Sequence, residues 1–377
     1  MDKIGIITYH NYCNYGTMLQ ALALQKSVEN MGFYSEIIDF KQNNILTKSK
    51  LLKLRLKRSG IYLKQLKKYY LLKKTQKFFD EKNKLFNEFY KSELNVGNKK
   101  YYSTQELIEE PPVYDAYVVG SDQTWNPYVA GRPEAFYLPF VDNDNIKGSY
   151  GPSLAINNLN NEQKEFLVKR LQKFSFISCR EKTGTELLKK LIEKPITTVL
   201  DPTLLLDKEE WNLFCDNKQY DSPYILTYFL GENKLHREIV EELAKRLSMN
   251  IIAIPITYLE LGNKNIEKVF AGPREFLNLI RNASLICTDS FHGTMFSINF
   301  EKNFYSFCKM QNNDQKSENS RLQDSLEEFG LADRLISNIP DKIENIDYKE
   351  VKKILNKRRK ESKDYLFNML IEMTRRK

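Results

Sequence analysis

The first forty residues commit the chain to a parallel sheet. KIGIITY (Lys3 to Tyr9) is an apolar run of strand length, and after a short polar loop GTMLQALALQKSVENMG places Met18, Leu19, Leu22 and Val28 at helical spacing. Gly32 ends that helix and YSEIIDF (Tyr34 to Phe40) is a second buried run, which completes a β-α-β unit with a right-handed crossover. Such a unit opens a Rossmann-like domain.

The same alternation continues. Strands are predicted at DAYVVGS (Asp115 to Ser121), IKGSYG (Ile146 to Gly151), FSFISCR (Phe174 to Arg180) and TTVLDP (Thr197 to Pro202). The pattern restarts at YILTYFL (Tyr224 to Leu230), followed by NIIAIPI, a helix from Pro273 to Asn282, SLICTDS (Ser284 to Ser290) and NFYSFC (Asn303 to Cys308). At 377 residues the chain is long enough for two cores. The expected fold class is therefore α/β with two Rossmann-like domains, 1–220 and 221–345. Residues 45–95 read as one or two amphipathic helices within a basic helical insertion at about 41–100. A final charged helix, 346–377, carries Val351, Ile354, Leu355, Tyr365, Leu366, Leu370 and Met373 on one face and is expected to pack back on the first domain.

Composition excludes several classes. With 41% hydrophobic and 28% charged residues, and no Pro/Gly/Ser-rich run, the chain reads as folded throughout. No stretch approaches the roughly 20 apolar residues that span a bilayer, and the N-terminal run is too short for a secretory signal, so a cytoplasmic location is expected. Cys13, Cys179, Cys215, Cys287 and Cys308 are scattered and odd in number, a pattern of neither a disulfide framework nor a zinc site. The net charge of +9 is concentrated: residues 41–100 hold 18 Lys and Arg against 4 Asp and Glu, a local +14.

In open parallel sheets ligands sit beyond the carboxyl ends of the strands. That rule selects Asn14, Tyr15 and Gly16 after the first strand, Gly120 to Asn126, Arg180 to Lys182, Asp201 to Thr203, and Asp289 to Thr294. The last turn is the strongest. A buried strand ends in Asp289, Ser290, Phe291, His292, Gly293 and Thr294 and a helix begins, so Gly293 and Thr294 are expected to offer amide donors to an anion, with His292 beside it as a proton carrier. Arg180 is suited to clamp a carboxylate or phosphate bidentately; the alternative is a surface ion pair with Glu181. Asp122 is a candidate base toward a hydroxyl. Trp125 is either a platform for a sugar or a core aromatic, and His10 either loop structure or a substrate contact. His236 reads as a surface residue and Asp201 as a capping residue. Neither the P-loop nor the dinucleotide glycine fingerprint is present at the positions that would give it meaning, and no His/Asp set suggests a metal, so no cofactor is expected.

Five blocks in order, ITYHNYCNYGTMLQALAL, YVVGSDQTWNP, ISCREKTG, VLDPTLLLDKEEW and ICTDSFHGTMFSINF, make the chain resemble the polysaccharide pyruvyl transferase family from about Lys3 to Leu331. The resemblance implies a GT-B-like fold of two domains facing across a cleft. It implies transfer of the pyruvyl group of phosphoenolpyruvate, as a ketal, onto two hydroxyls of a sugar. The acceptor it implies is an oligosaccharide on undecaprenyl diphosphate, in capsule, exopolysaccharide or cell-wall polymer synthesis. It matches His292 to the family histidine near the donor and Arg180 to a donor-binding arginine. Several members carry an arginine two residues before that histidine, where this chain has Ser290; Lys309 and Arg321 are the candidates to supply the missing charge.

On this reading the basic segment draws the enzyme to the anionic inner face of the membrane, at about 1 kcal/mol per Lys or Arg near the surface. A solvated helical face is the alternative, and a GT-B glycosyltransferase using a nucleotide sugar is the competing activity. Nucleic acid is not an expected partner, because the basic run carries no recognised nucleic-acid motif.

Overall fold

The computed structural model describes residues 1–41, 62–129, 134–309 and 319–376. Its chain builds two five-stranded parallel sheets with the same strand pattern. The first contains β1 (Lys3–Ile7), β2 (Tyr34–Phe40), β3 (Val96–Tyr101), β4 (Ala116–Val119) and β5 (Lys147–Ser149), in the order β3-β2-β1-β4-β5. A short parallel pair, β6 (Ile177–Cys179) and β7 (Ile196–Thr198), continues from its edge through a bridge between Gly148 and Phe176. The second contains β8 (Tyr224–Tyr228), β9 (Asn250–Ala253), β10 (Glu267–Lys268), β11 (Leu285–Thr288) and β12 (Phe304–Ser306), in the order β10-β9-β8-β11-β12. In each sheet the first strand lies at the centre and later strands are added on either side. That creates a switch point between β1 and β4 and another between β8 and β11, where the loops leave in opposite directions and open a crevice.

The opening β-α-β unit is as read: α1 (Tyr15–Asn30) follows β1, and β1 pairs with β2 in parallel, Ile4 opposite Ser35. One correction concerns the basic insertion. Its helix, α2 (Tyr62–Glu93), stops at Glu93, and Val96–Tyr101 forms the edge strand β3. The charged sequence VGNKKY masks this strand because an edge exposed to water needs no apolar alternation. Residues 42–61, also expected to be helical, lie outside the described residues.

The two sheets are held together by packed aromatic and polar contacts. The Tyr15 ring stacks on Phe276 of α3 (Pro273–Asn282) at 4.3 Å between centroids, and its hydroxyl donates to the Ala271 carbonyl at 2.7 Å. Asn299, at the end of α4 (Phe291–Asn299), donates to the carbonyls of Thr203 and Leu206 at 3.0 and 2.8 Å. The last helix, α6 (Tyr348–Arg375), follows α5 (Asn319–Glu328) and runs from the second sheet to the first. Its Tyr348 hydroxyl reaches the Lys302 carbonyl, while Met369 and Met373 fill the space that a side chain at Gly148 would need.

His236 corrects its expected place. It is 5% exposed, packed against Phe229 and Phe307, and burial with neighbouring Arg237 lowers its pKa to about 4. It is a neutral core histidine.

Candidate active site

Residues from the carboxyl ends of β4, β6, β7 and β11 converge on one polar cluster. At its centre is Arg180, immediately after β6, whose side chain is 0% exposed. Its Nη1 donates to Asp201 Oδ2 at 2.6 Å and to Ser121 Oγ at 3.2 Å, and Ser121 in turn donates to the same carboxylate oxygen at 3.2 Å. Nη2 stands 3.8 Å from Asp122 Oδ1, and Nη2 and Nε make no hydrogen bond within the protein. A buried guanidinium with undirected donors is costly unless something else occupies them. The expected alternative, an ion pair with Glu181, is present only as a long, buried contact and not at the surface. Glu181 is itself buried, with Oε1 accepting from Ser153, Leu154 and Ala155 and Oε2 4.0 Å from Arg180 Nε.

His292 reaches this cluster from the second sheet. Its Nε2 lies 3.6 Å from Asp201 Oδ2 and 3.5 Å from Arg180 Nη1. The ring rests against Gly16 in the first turn of α1, so close that a Cβ on that glycine would fall inside the imidazole. Phe291, beside it, presents its ring to two cations: Arg180 at 4.5 Å and Arg321 of α5 at 5.5 Å from the centroid. Two residues read separately from the sequence, Arg180 and His292, thus meet across the sheets.

Asp122 sits at φ 68°, a left-handed conformation unfavourable for a residue with a Cβ, and the flanking backbone pins it there through a bridge to Pro152. Its Oδ2 accepts from Thr17 Oγ1 at 2.8 Å. Burial pushes its carboxyl upward, but Arg180, His292, the Thr17 hydroxyl and Arg321 together hold it below the ordinary carboxylate value. Asp201 follows the same balance: burial opposes ionisation, and His292 and Arg180 overcome it, leaving its pKa far below normal. The side chains of Asp122 and His292 keep 14% and 10% exposure, so both border the open side of the cluster.

Several expected contacts are corrected. Trp125 is 0% exposed, donates to the Phe136 carbonyl at 3.2 Å and packs against Tyr137 and Phe174, so its faces are unavailable to a sugar. His10 is 1% exposed with its ring nitrogens at 2.9 Å from the Thr8 carbonyl and 3.3 Å from Asp39, which makes it loop structure. Tyr15 is a contact between the two halves and Asn14 is the N-cap of α1, accepting from Thr17 N. Ser290 caps α4: its Oγ accepts from Gly293 N at 3.3 Å and its carbonyl from Thr294 N at 3.0 Å, so the two amides expected to hold an anion are already bonded within the turn. The Thr294 hydroxyl also faces inward, to Ser290 and Ser306. Lys309 is exposed and lies beside Gly231 and Asp289, whereas Arg321 is buried and shares the Phe291 ring with Arg180.

Sequence reasoning left Asp201 as a cap. It does cap Thr203, with Oδ1 accepting from its amide and hydroxyl, while Oδ2 serves Arg180. Its place after β7 was the available signal, as the strand-end turn Gly120 to Asn126 was for Ser121; Thr17, one turn into α1, gave none. Among the described residues no group of three or more His, Cys, Asp or Glu has metal-binding geometry, and no helix is long and apolar enough to cross a membrane.

Two Rossmann-like sheets whose carboxyl ends share one polar cluster define an α/β protein of the GT-B architecture. The fold is that of UDP-bound MnaA from S. aureus, which aligns over 99% of this chain and 91% of its own at 12% identity with a TM-score of 0.50. UDP-N-acetylglucosamine 2-epimerase from Listeria monocytogenes aligns over 97% of this chain and 90% of its own, with 12% identity and a TM-score of 0.49. The chain belongs to the polysaccharide pyruvyl transferase family, whose sequence profile matches residues 14–307. It is thereby a transferase of polysaccharide synthesis. No curated protein sequence matches it significantly.

Proposed function

We propose that the protein transfers the pyruvyl group of phosphoenolpyruvate to two hydroxyls of one sugar, forming a ketal and releasing inorganic phosphate. The observation that carries this reading is Arg180: a fully buried guanidinium with donors left over, 3.5 Å from a histidine. A small dianionic or trianionic donor satisfies those donors, and a proton carrier beside them matches the first demand of the chemistry.

The reaction adds one proton to the methylene carbon of the donor, which leaves positive charge at the adjacent carbon. One sugar oxygen bonds there and loses its proton; the carbon–oxygen bond to phosphate breaks; and the second hydroxyl adds and loses its proton. His292 is suited to the proton transfers, a role that contributes about 10²-fold to 10⁴-fold. Arg180, supported by Arg321 across Phe291, holds the donor anion, with Arg321 in place of the arginine replaced by Ser290. Asp122, kept ionised by its cationic neighbours, accepts the proton of an attacking hydroxyl. An acceptor carried on a polyprenyl diphosphate brings the enzyme to the inner face of the membrane. The exposed Lys77, Lys84 and Lys91 of α2 fit an anionic surface there.

The test is donor binding followed by product analysis. A ligand present at a hundredfold excess over its dissociation constant stabilises the folded protein by about 2.7 kcal/mol. Phosphoenolpyruvate is expected to raise the melting temperature of the wild type and to lose that effect in Arg180→Ala, and phosphate release with a ketal on the acceptor completes the case. A melting shift with nucleotide sugars alone would replace this reading with glycosyl transfer.

A further inference from the structure

A second cationic feature lies beside the cluster and has no part in the chemistry just described. Lys82, on α2, is 5% exposed, yet no carboxylate among the described residues pairs with it. Its ammonium lies over the Tyr15 ring at 4.8 Å and near Phe86 at 5.6 Å from the centroids. Tyr15 immediately precedes Gly16, the glycine on which His292 rests. The loop between β1 and α1 covers the position: Cys13 is hydrogen-bonded to Asn83, next to Lys82 in α2, and Tyr12, Cys13 and Asn14 are exposed. At the rim Lys41 stands over the Tyr12 ring at 5.6 Å, likewise without an ion pair among the described residues.

Burying an ammonium without a counter-charge costs free energy, and cation–π contact returns only about 0.5–2 kcal/mol of it. Desolvation shows in the group itself, whose pKa falls to about 8. A methionine or leucine would fill the same space against Tyr15 and Phe86 without that cost. An amine retained here fits a position whose anion arrives with a ligand.

We propose that Lys82, with Lys41 at the rim of the Tyr12–Asn14 loop, forms a phosphate subsite for the acceptor, holding the phosphate ester on its reducing end while the sugar hydroxyls face His292 and Asp122. The subsite is distinct from the donor position at Arg180 and rests on the sugar-acceptor half of the proposed function, not on the identity of the donor. Either a nucleotide or a polyprenyl carrier supplies such a phosphate.

Inorganic pyrophosphate is the probe. Isothermal titration of the full-length protein is expected to show that Lys82→Met weakens pyrophosphate binding by about tenfold to a hundredfold, the size of one charge-assisted hydrogen bond, and that Lys82→Arg restores most of it. Phosphoenolpyruvate binding is expected to be unchanged in both. In the wild type, mass-spectrometric mapping after brief treatment with acetic anhydride is expected to show Lys82 acetylated, and pyrophosphate to protect it. This second readout decides the matter even where Lys82→Met fails to fold. Undiminished pyrophosphate binding by a folded Lys82→Met, or a Lys82 that pyrophosphate leaves unprotected, overturns the subsite. A nucleotide sugar and a polyprenyl diphosphate sugar in micelles, tested as competitors for the protection, tell whose phosphate it is; if neither competes, the acceptor assignment falls. Protection of Lys82 in a protein that fails to bind phosphoenolpyruvate removes the donor reading and leaves the subsite standing.

Discussion

His292 and Gly16 open helices that follow strands of different sheets, and the imidazole of one occupies the space where the other would carry a side chain. The absence of a Cβ at Gly16 sets how deeply the histidine enters the cluster. Gly16→Ala therefore displaces the ring from Asp201 and Arg180. The expected result is a folded protein destabilised by about 1–3 kcal/mol, the usual cost of overpacking, with pyruvyl transfer reduced far more than donor binding. Denaturant unfolding and turnover of the same preparation check it; unchanged turnover would mean that the ring position is not critical.

Arg180 balances the negative charge of Asp122 and Asp201 inside the protein. Arg180→Ala is expected to cost about 3–5 kcal/mol of stability, because truncating one partner leaves buried carboxylates without their cation. Arg180→Lys keeps a charge but cannot serve Asp201 and a donor anion together, so phosphoenolpyruvate binding is expected to stay weak in it. Melting curves with and without donor separate the two effects.

The same pair governs acid stability. Asp122 and Asp201 both titrate below the unfolded carboxylate value of about 3.9, so the unfolded chain binds protons first as pH falls. Their contribution is complete above about pH 5 and is lost as the solution is acidified below it. Asp201→Asn is expected to lower stability at pH 7 and to flatten the loss between about pH 5 and pH 3. Urea midpoints across that range measure the slope; a slope equal to the wild type's would show that Asp201 does not carry it.

Trp125 separates stability from acceptor recognition. Trp125→Phe removes a buried donor to the Phe136 carbonyl and leaves a void, which is expected to cost about 1–3 kcal/mol. The acceptor KM is expected to remain that of the wild type, since neither face of the indole is open. A raised acceptor KM at full stability would restore the stacking role.

Much of the architecture was legible because it is written in local periodicity. The apolar runs at Lys3–Ile7, Tyr224–Tyr228 and Leu285–Thr288 are buried on both faces, and such strands announce themselves. Val96–Tyr101 did not, since an edge strand carries no such run. At the site, the rule that ligands gather at strand ends selected Arg180, Asp122, Asp201 and His292, four residues that the structure brings within one cluster. It also selected Trp125 and Tyr15, which occupy the same ends but turn into the core. Sequence position fixes the end of the strand; side-chain direction depends on what packs across it, and for Tyr15 that is Phe276, some 260 positions away. The reading of Asp201 as a cap covers only one of its two oxygens, because the other serves Arg180.

The last helix makes the site depend on residues far from it in sequence. Ser362 receives the Leu200 amide beside Asp201, Arg358 and Arg359 hold the carbonyls of Thr198 and Leu204, and Tyr365 reaches that of Ser149. Every residue of the cluster precedes these supports in the sequence. A chain cut near residue 345 would keep every side chain of the cluster and lose the buttress under Asp201, so a truncation that removes none of the chemistry is expected to disable the site.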